Sequence, residues 1–88
     1  MPWTIEYTET ARKALLSLDR QAALKITQYL ATRIATDEDP RRFGRGLKSN
    51  LAGLWRYRVG DYRVIAEIQD ARVVVLVVRI GHRSRVYD

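Results

Sequence analysis

The sequence predicts an α+β fold in which a short N-terminal strand and a two-helix hairpin precede a three-stranded antiparallel meander (β-α-α-β-β-β). Three observations predict it. Apolar residues recur at helical spacing between residues 11 and 34, β-type runs begin at residue 54, and short turn signals separate those runs. Because 88 residues leave room for one modest core, we expect a single domain over residues 1–88.

The first part of the chain is predicted to supply the strand and both helices. Residues 3–7 alternate and are β-prone, which indicates a strand. Thr8 and Asp19 each precede a run with helical periodicity and suit the N-cap position of a helix. The second helix should extend to about Thr36, since an acidic run and a proline follow at residues 37–40.

The second part is predicted to form a loop and then the meander. Residues 37–53 are expected to be a long loop, either a functional segment or a solvated tether. Strands are predicted over 54–59, 62–69 and 72–80, with tight turns at 60–61 and 70–71. The third of these strands is apolar on both faces, so we expect it to be central in the sheet.

The positive charge is concentrated in the second half. The formal net charge is +6, and residues 41–88 hold eleven cations, ten of them Arg, against four anions. A guanidinium group presents a rigid fork of donors that fits a phosphate bidentately. The excess therefore favours recognition of phosphate or carboxylate groups, although a G·C-rich genome or an acidic protein partner would also explain it.

Composition excludes several kinds of chemistry. The chain has no Cys and a single His, His82, so a thiol nucleophile, a disulfide framework and a histidine-rich zinc centre are excluded, and we expect neither a metal nor a cofactor. The longest apolar run, residues 73–78, is too short to cross a membrane. The N-terminus does not resemble a signal peptide, which predicts a cytoplasmic protein without a membrane partner.

Three arginines are predicted to share one patch of the sheet. Strand alternation places Arg56 and Arg58 on the same face, and a two-residue turn at 60–61 places Arg58 opposite Arg63. Glu67 on that face cannot neutralise all three. We therefore expect a phosphate or an acidic partner there, the alternative being that the long side chains extend into water.

Two segments resemble the RelE/ParE superfamily of bacterial type II toxins. They are L-x-G-x-W-R-x-R-V-G-D-Y-R-V over residues 51–64 and G-H-R-x-x-V-Y over residues 81–87, the latter more typical of the RelE branch. The resemblance implies a RelE-like fold and a ribosome-dependent, metal-free endoribonuclease that cuts mRNA in the ribosomal A site. A ParE-like poison of DNA gyrase, which acts by protein contact, is the alternative.

The resemblance also implies partners and site residues. The expected partners are an acidic RelB-like antitoxin, the ribosome and mRNA, with specific DNA binding only through the antitoxin complex. Tyr87 is the implied base for the RNA 2′-OH, and Arg83, or alternatively His82, would assist the leaving 5′-oxygen. The implied catalytic residues are Arg56, Arg58, Arg63, Arg83 and Tyr87. The expected substrate-binding residues are Arg45, Lys48, His82 and Arg85.

Overall fold

A computed structural model describes residues 1–82 of the chain. Within these residues, two helices cover one face of a five-stranded sheet whose strand order is β1-β5-β4-β3-β2. The helices are α1 (Glu9–Ser17) and α2 (Arg20–Tyr29), and the strands are β1 (Thr4–Tyr7), β2 (Arg45–Gly46), β3 (Trp55–Val59), β4 (Tyr62–Gln69) and β5 (Val74–His82). The predicted α+β class is therefore confirmed.

Both helices begin at the predicted capping residues. The side chain of Thr8 accepts a hydrogen bond from the Ala11 amide, and that of Asp19 accepts one from the Ala22 amide. The end of the second helix differs from the prediction. Its α-helical part stops at Tyr29, and Leu30–Ile34 form a π-helical turn in which the Ala35 amide donates to the Leu30 carbonyl at 2.8 Å.

The hairpin between β3 and β4 has the predicted two-residue turn, with Val59 opposite Tyr62. The turn predicted at 70–71 is wrong in detail. Asp70–Arg72 form a 3-10 turn and Val73 adopts a left-handed conformation with φ 54°, so β5 starts at Val74. Since β5 pairs with β1 on one side and β4 on the other, it lies inside the sheet, although β4 holds the middle position.

The segment predicted as a loop over 37–53 contains an additional strand, so the sheet formed by residues 1–82 has five strands and not four. Two aromatic side chains of β3 hold this segment against the sheet. The Trp55 indole donates to the Phe43 carbonyl at 2.6 Å, and the Tyr57 hydroxyl donates to the Pro40 carbonyl at 2.7 Å. These bonds guide residues 45–46 alongside β3, where they pair as β2.

The core lies between the helices and one face of the sheet. Its largest fully buried side chains include Ile26, Leu30 and Ile34 from the helical layer and Tyr57, Val64, Val75 and Val77 from the sheet. Because side chains alternate along a strand, residues between these positions point to the other face, away from the helices. We call that surface the open face. In the described part of the chain, no helix is long and apolar enough to cross a lipid bilayer.

Candidate phosphate-binding face

The open face brings together arginines from four strands. Arg58 pairs directly with Arg63 across the β3–β4 hairpin, as predicted, and Arg45 of β2 pairs with Arg56 of β3. Residues paired in this way carry their side chains on the same face. We call the resulting set the arginine face; its members are Arg45, Arg56, Arg58, Arg63 and Arg79.

These arginines differ in their exposure. Arg58 and Arg45 are exposed and Arg56 is half-buried, whereas Arg63 is only 8% exposed. A guanidinium group is seldom buried, because removing it from water is costly. Because a buried side chain has lost most of its conformational freedom, the charge of Arg63 is held in place before any anion binds.

A cleft of about 200 Å³ opens at the edge of the arginine face, lined by Arg45, Arg56, Arg58 and Gly44. Gly44 has φ +79° and passes so close to β3 that a Cβ atom there would overlap the Arg56 carbonyl oxygen and lie 2.7 Å from the Trp55 indole nitrogen. Only glycine fits this crossing. The close approach is what brings Arg45 beside Arg56.

Acidic side chains elsewhere are engaged by other cations. Arg41 donates two hydrogen bonds to Asp70, at 3.1 and 2.7 Å, and this interaction lowers the pKa of the Asp70 carboxyl. Arg72 pairs with Glu6 at 3.0 Å, and Arg12 pairs with Glu9 at 2.7 Å. These carboxylates therefore satisfy arginines outside the arginine face. Glu67 is exposed and accepts a hydrogen bond from Gln69 at 2.6 Å.

The remaining predicted site residues do not all meet here. Lys48 is exposed just after β2. His82 pairs with Tyr62 in the β4–β5 ladder, and the centroids of their rings lie 5.6 Å apart in an edge-to-face arrangement. Tyr62 packs against the core on the helical side. His82 thus lies on the face opposite the arginines, and its role in substrate binding stays a prediction. Arg83, Arg85 and Tyr87 lie outside the described residues.

One member of the arginine face, Arg79, was missed by the sequence reasoning. The β4–β5 register shifts by one residue, so that Val77 opposes Ala66 but Arg79 opposes Ile65. Without this bulge Arg79 would oppose Val64 and point toward the helices. The available signal was a single cation that interrupts an otherwise apolar run.

Comparisons with known proteins agree with this architecture. Residues 5–87 match the family described as ParE toxin of type II toxin-antitoxin system, parDE. Toxin RelG of Mycobacterium tuberculosis is 31% identical over 87 residues, which cover 99% of this chain and 98% of that protein. Toxin RelE of the same organism is 31% identical over 86 residues, which cover 98% of this chain and 87% of that protein.

Solved structures give the same result. The toxin-antitoxin complex RelBE2 from Mycobacterium tuberculosis superposes with a TM-score of 0.86 at 30% identity, covering 96% of this chain and 94% of that chain. The isolated RelE toxin of E. coli shares the fold, with a TM-score of 0.71 at 16% identity over 91% of this chain and 83% of that one.

A two-helix layer on a five-stranded sheet, matched over nearly its whole length, defines a toxin of the type II toxin-antitoxin class. The chain belongs to the RelE/ParE superfamily of these toxins, with RelE-named and RelG-named relatives. The resemblance predicted from residues 51–64 and 81–87 is therefore confirmed.

Proposed function

We propose that this toxin is a ribosome-dependent, metal-free endoribonuclease that cuts mRNA in the ribosomal A site and so inhibits translation. The observation that carries the proposal is the convergence of Arg56, Arg58 and Arg63 on one face, with Arg45 beside Arg56. Guanidinium groups bind phosphate oxygens in pairs of hydrogen bonds, so this face suits an RNA backbone.

RNA supplies its own nucleophile for such a reaction. The 2′-oxygen attacks the adjacent phosphorus while its proton passes to a base, and the bond to the 5′-oxygen breaks as an acid protonates that oxygen. The products are a 2′,3′-cyclic phosphate and a 5′-hydroxyl. The enzyme must supply a base, an acid and stabilisation of the negative charge that develops on the phosphorus oxygens.

The arginine face supplies the charge stabilisation. Arg63 is buried at 8% exposure and is positioned before the substrate arrives, while exposed Arg58 and half-buried Arg56 can close on the phosphate oxygens. A fixed charge costs little reorganisation when the transition state forms, which makes it effective. Arg45 and Lys48 are proposed to hold the flanking RNA backbone, together with Arg85.

The base and the acid are proposed to come from the C-terminal segment. Tyr87 is the proposed base, which requires neighbouring cations to lower the pKa of its hydroxyl. Arg83 is the proposed partner of the leaving oxygen, with His82 as the alternative acid. The described end of β5 supports this assignment, because Gly81 lies opposite Arg63.

An acidic RelB-like antitoxin is the proposed partner that inhibits the toxin. A toxin of similar fold is seen in the RelBE2 complex, and a further one in an archaeal RelE-RelB complex from Pyrococcus horikoshii with a TM-score of 0.66. A partner with acidic and apolar residues would neutralise the arginine face when the toxin is idle. Specific DNA binding is expected only from that complex.

The test is ribosome-dependent cleavage of a defined mRNA by purified variants. Arg58→Ala, Arg63→Lys and Tyr87→Phe are each expected to lower the cleavage rate by about 100-fold or more, as removal of a transition-state contact does. Arg12→Ala is the matched control, since Arg12 is exposed on α1 and pairs with Glu9. Full activity of all three variants would disprove the proposal.

The second candidate function is a ParE-like poison of DNA gyrase, favoured by the description of the family that residues 5–87 match. This activity works by protein contact and needs no catalytic base. If it is the function, expression of the toxin produces gyrase-dependent DNA breaks, mRNA stays intact, and Tyr87→Phe retains toxicity. Codon-phased mRNA cuts without DNA breaks would exclude it.

A further inference from the structure

An apolar hollow lies on the open face beside the arginines. Leu51, Leu54, Ile65 and Val78 line a cavity of about 90 Å³ together with Arg79. A water molecule occupies roughly 30 Å³ of liquid volume, so the hollow could accept part of a planar ring. We call these five residues the apolar hollow.

The hollow is built by two local irregularities of the chain. The bulge between Ile65 and Ala66 leaves Val78 as the extra residue of β5 and puts Arg79 opposite Ile65. A 3-10 turn over Ser49–Leu51 then brings Leu51 to the same face, held by hydrogen bonds of 3.1 Å from the Leu51 amide to the Lys48 carbonyl and from the Leu54 amide to the Leu51 carbonyl.

The hollow is continuous with the arginine face. Arg45, Arg56, Ile65 and Arg79 form a single cross-strand row over four neighbouring strands. Neighbouring strands are about 4.8 Å apart, so Ile65 lies one strand spacing from Arg56 on one side and from Arg79 on the other. A phosphate held at Arg56 would leave its attached nucleoside within reach of the hollow.

We propose that the apolar hollow binds one unpaired nucleobase of the RNA whose phosphate the arginine face holds. This inference rests on the proposed function. A nucleobase has a polar edge and an apolar face, and that face would pack on the half-buried side chains of Leu54 and Val78, since Ile65 is only 2% exposed. Arg79 is exposed, and its planar guanidinium can stack on the base or donate hydrogen bonds to that edge.

The hollow thereby selects the codons at which the RNA backbone is cut. A second phosphate would find one cation and four apolar side chains, which is a poor site for an anion. An apolar side chain of an antitoxin would pack on the four apolar side chains but would have no need of a guanidinium group beside it. The combination of the two features favours a base, and Arg79 becomes a specificity-determining residue.

The first experiment measures ribosome-dependent cleavage at A-site codons that differ by one base. Wild-type protein, Arg79→Ala, Arg79→Lys and Leu54→Ala are compared. We expect Arg79→Ala to reduce the ratio between the fastest and slowest codons by about ten-fold, the scale of losing hydrogen bonds to one base edge. Leu54→Ala should reduce the ratio by a similar factor, because the hollow loses its shape. Arg79→Lys should restore little of the ratio, since ammonium keeps the charge but not the planar group.

The matched control for these variants is Arg72→Ala. Arg72 is an exposed arginine just before β5 that pairs with Glu6, far along the strand from the hollow. It should leave the codon ratios unchanged. Unaltered ratios in Arg79→Ala and Leu54→Ala would overturn the proposal. The proposal would also be overturned if these two variants kept the wild-type codon ratios but were no longer inhibited by a co-expressed antitoxin. That result would assign the hollow to the antitoxin.

A second experiment does not depend on cleavage. Methyl NMR signals of Leu54, Ile65 and Val78 are followed while a short single-stranded RNA, or the same RNA with an abasic position, is added. Signals that shift with the intact RNA but not with the abasic RNA support the base site. This holds even if the wild-type protein cleaves no codon and the proposed function fails. If the wild-type protein cleaves mRNA but its methyl signals respond identically to both RNAs, the base site is rejected and the proposed function is kept.

Discussion

Arg58 lies directly opposite Arg63 across the β3–β4 hairpin, so two guanidinium groups share one cross-strand position. One is exposed and the other is 8% exposed. Like charges in this arrangement destabilise a sheet. A phosphate bound between the two guanidinium groups would offset their mutual repulsion, which links the stability of the hairpin to its proposed activity.

Replacing Arg58 by Ala should separate stability from activity. We expect Arg58→Ala to raise the free energy of unfolding by up to about 1 kcal/mol, because the opposing charge on Arg63 loses its repulsive neighbour. In a domain of this size, this corresponds to an increase in Tm of up to about 8 °C, measured by thermal unfolding at low salt. A lower Tm together with full cleavage activity would contradict both parts of the argument.

Replacing Gly44 by Ala should damage both the fold and the site. A Cβ at residue 44 would overlap the Arg56 carbonyl oxygen, in addition to the strain of φ +79°. The matched control is Gly53→Ala, where φ is +95° but no atom lies within 4 Å. The free energy of unfolding of the control should fall by about 1–2 kcal/mol from backbone strain alone. Gly44→Ala should lose more, measured by urea unfolding, and should also lower cleavage because Arg45 is displaced. Equal losses would refute this account.

Replacing Tyr57 by Phe should loosen the segment that carries Arg45. The Tyr57 hydroxyl donates to the Pro40 carbonyl at 2.7 Å in the buried core, and burial raises the pKa of this tyrosine, which keeps the donor protonated. The loss should be about 1–3 kcal/mol. Tyr29→Phe is the control, since Tyr29 packs 6.3 Å away in the same cluster but is only partly buried. Chemical denaturation that gives the same loss for both would show that the hydrogen bond contributes nothing.

Replacing Asp70 by Asn should change the pH dependence of stability. Arg41 lowers the pKa of Asp70 in the folded protein, chiefly through their hydrogen bonds, so ionised Asp70 stabilises the fold. That contribution is complete above the ordinary aspartate pKa of about 3.9 and disappears as the pH falls through the lower folded value. Thermal unfolding is measured from pH 7 to pH 2. The Tm of the wild type should exceed that of Asp70→Asn at neutral pH, and the two Tm values should converge in acid. Curves that diverge toward low pH would contradict the assignment.

Much of the site followed from local sequence rules. Strand alternation and the Gly60-Asp61 turn were enough to pair Arg58 with Arg63, because a two-residue hairpin fixes its register. Helix caps at Thr8 and Asp19 were equally predictable, since capping depends on hydrogen bonds within four residues.

Other parts could not be predicted from local rules. Arg45 joins the arginine face through bonds from Trp55 and Tyr57 to carbonyls at residues 43 and 40, which are distant in sequence. Arg79 reaches the open face only because of a bulge, and a bulge changes no residue type that a pattern would register. The two-residue strand β2 is too short to produce an alternating signal of its own.

The sequence by itself therefore determined the fold class, the superfamily and the central arginine pairing, because each depends on near neighbours along the chain or on a motif written in consecutive residues. The tertiary structure alone decided that Arg45 and Arg79 extend this pairing to a row across four strands and that an apolar hollow lies within it. The physical reason is that a one-residue shift in strand register reverses the face to which a side chain points, and packing between distant segments fixes that shift.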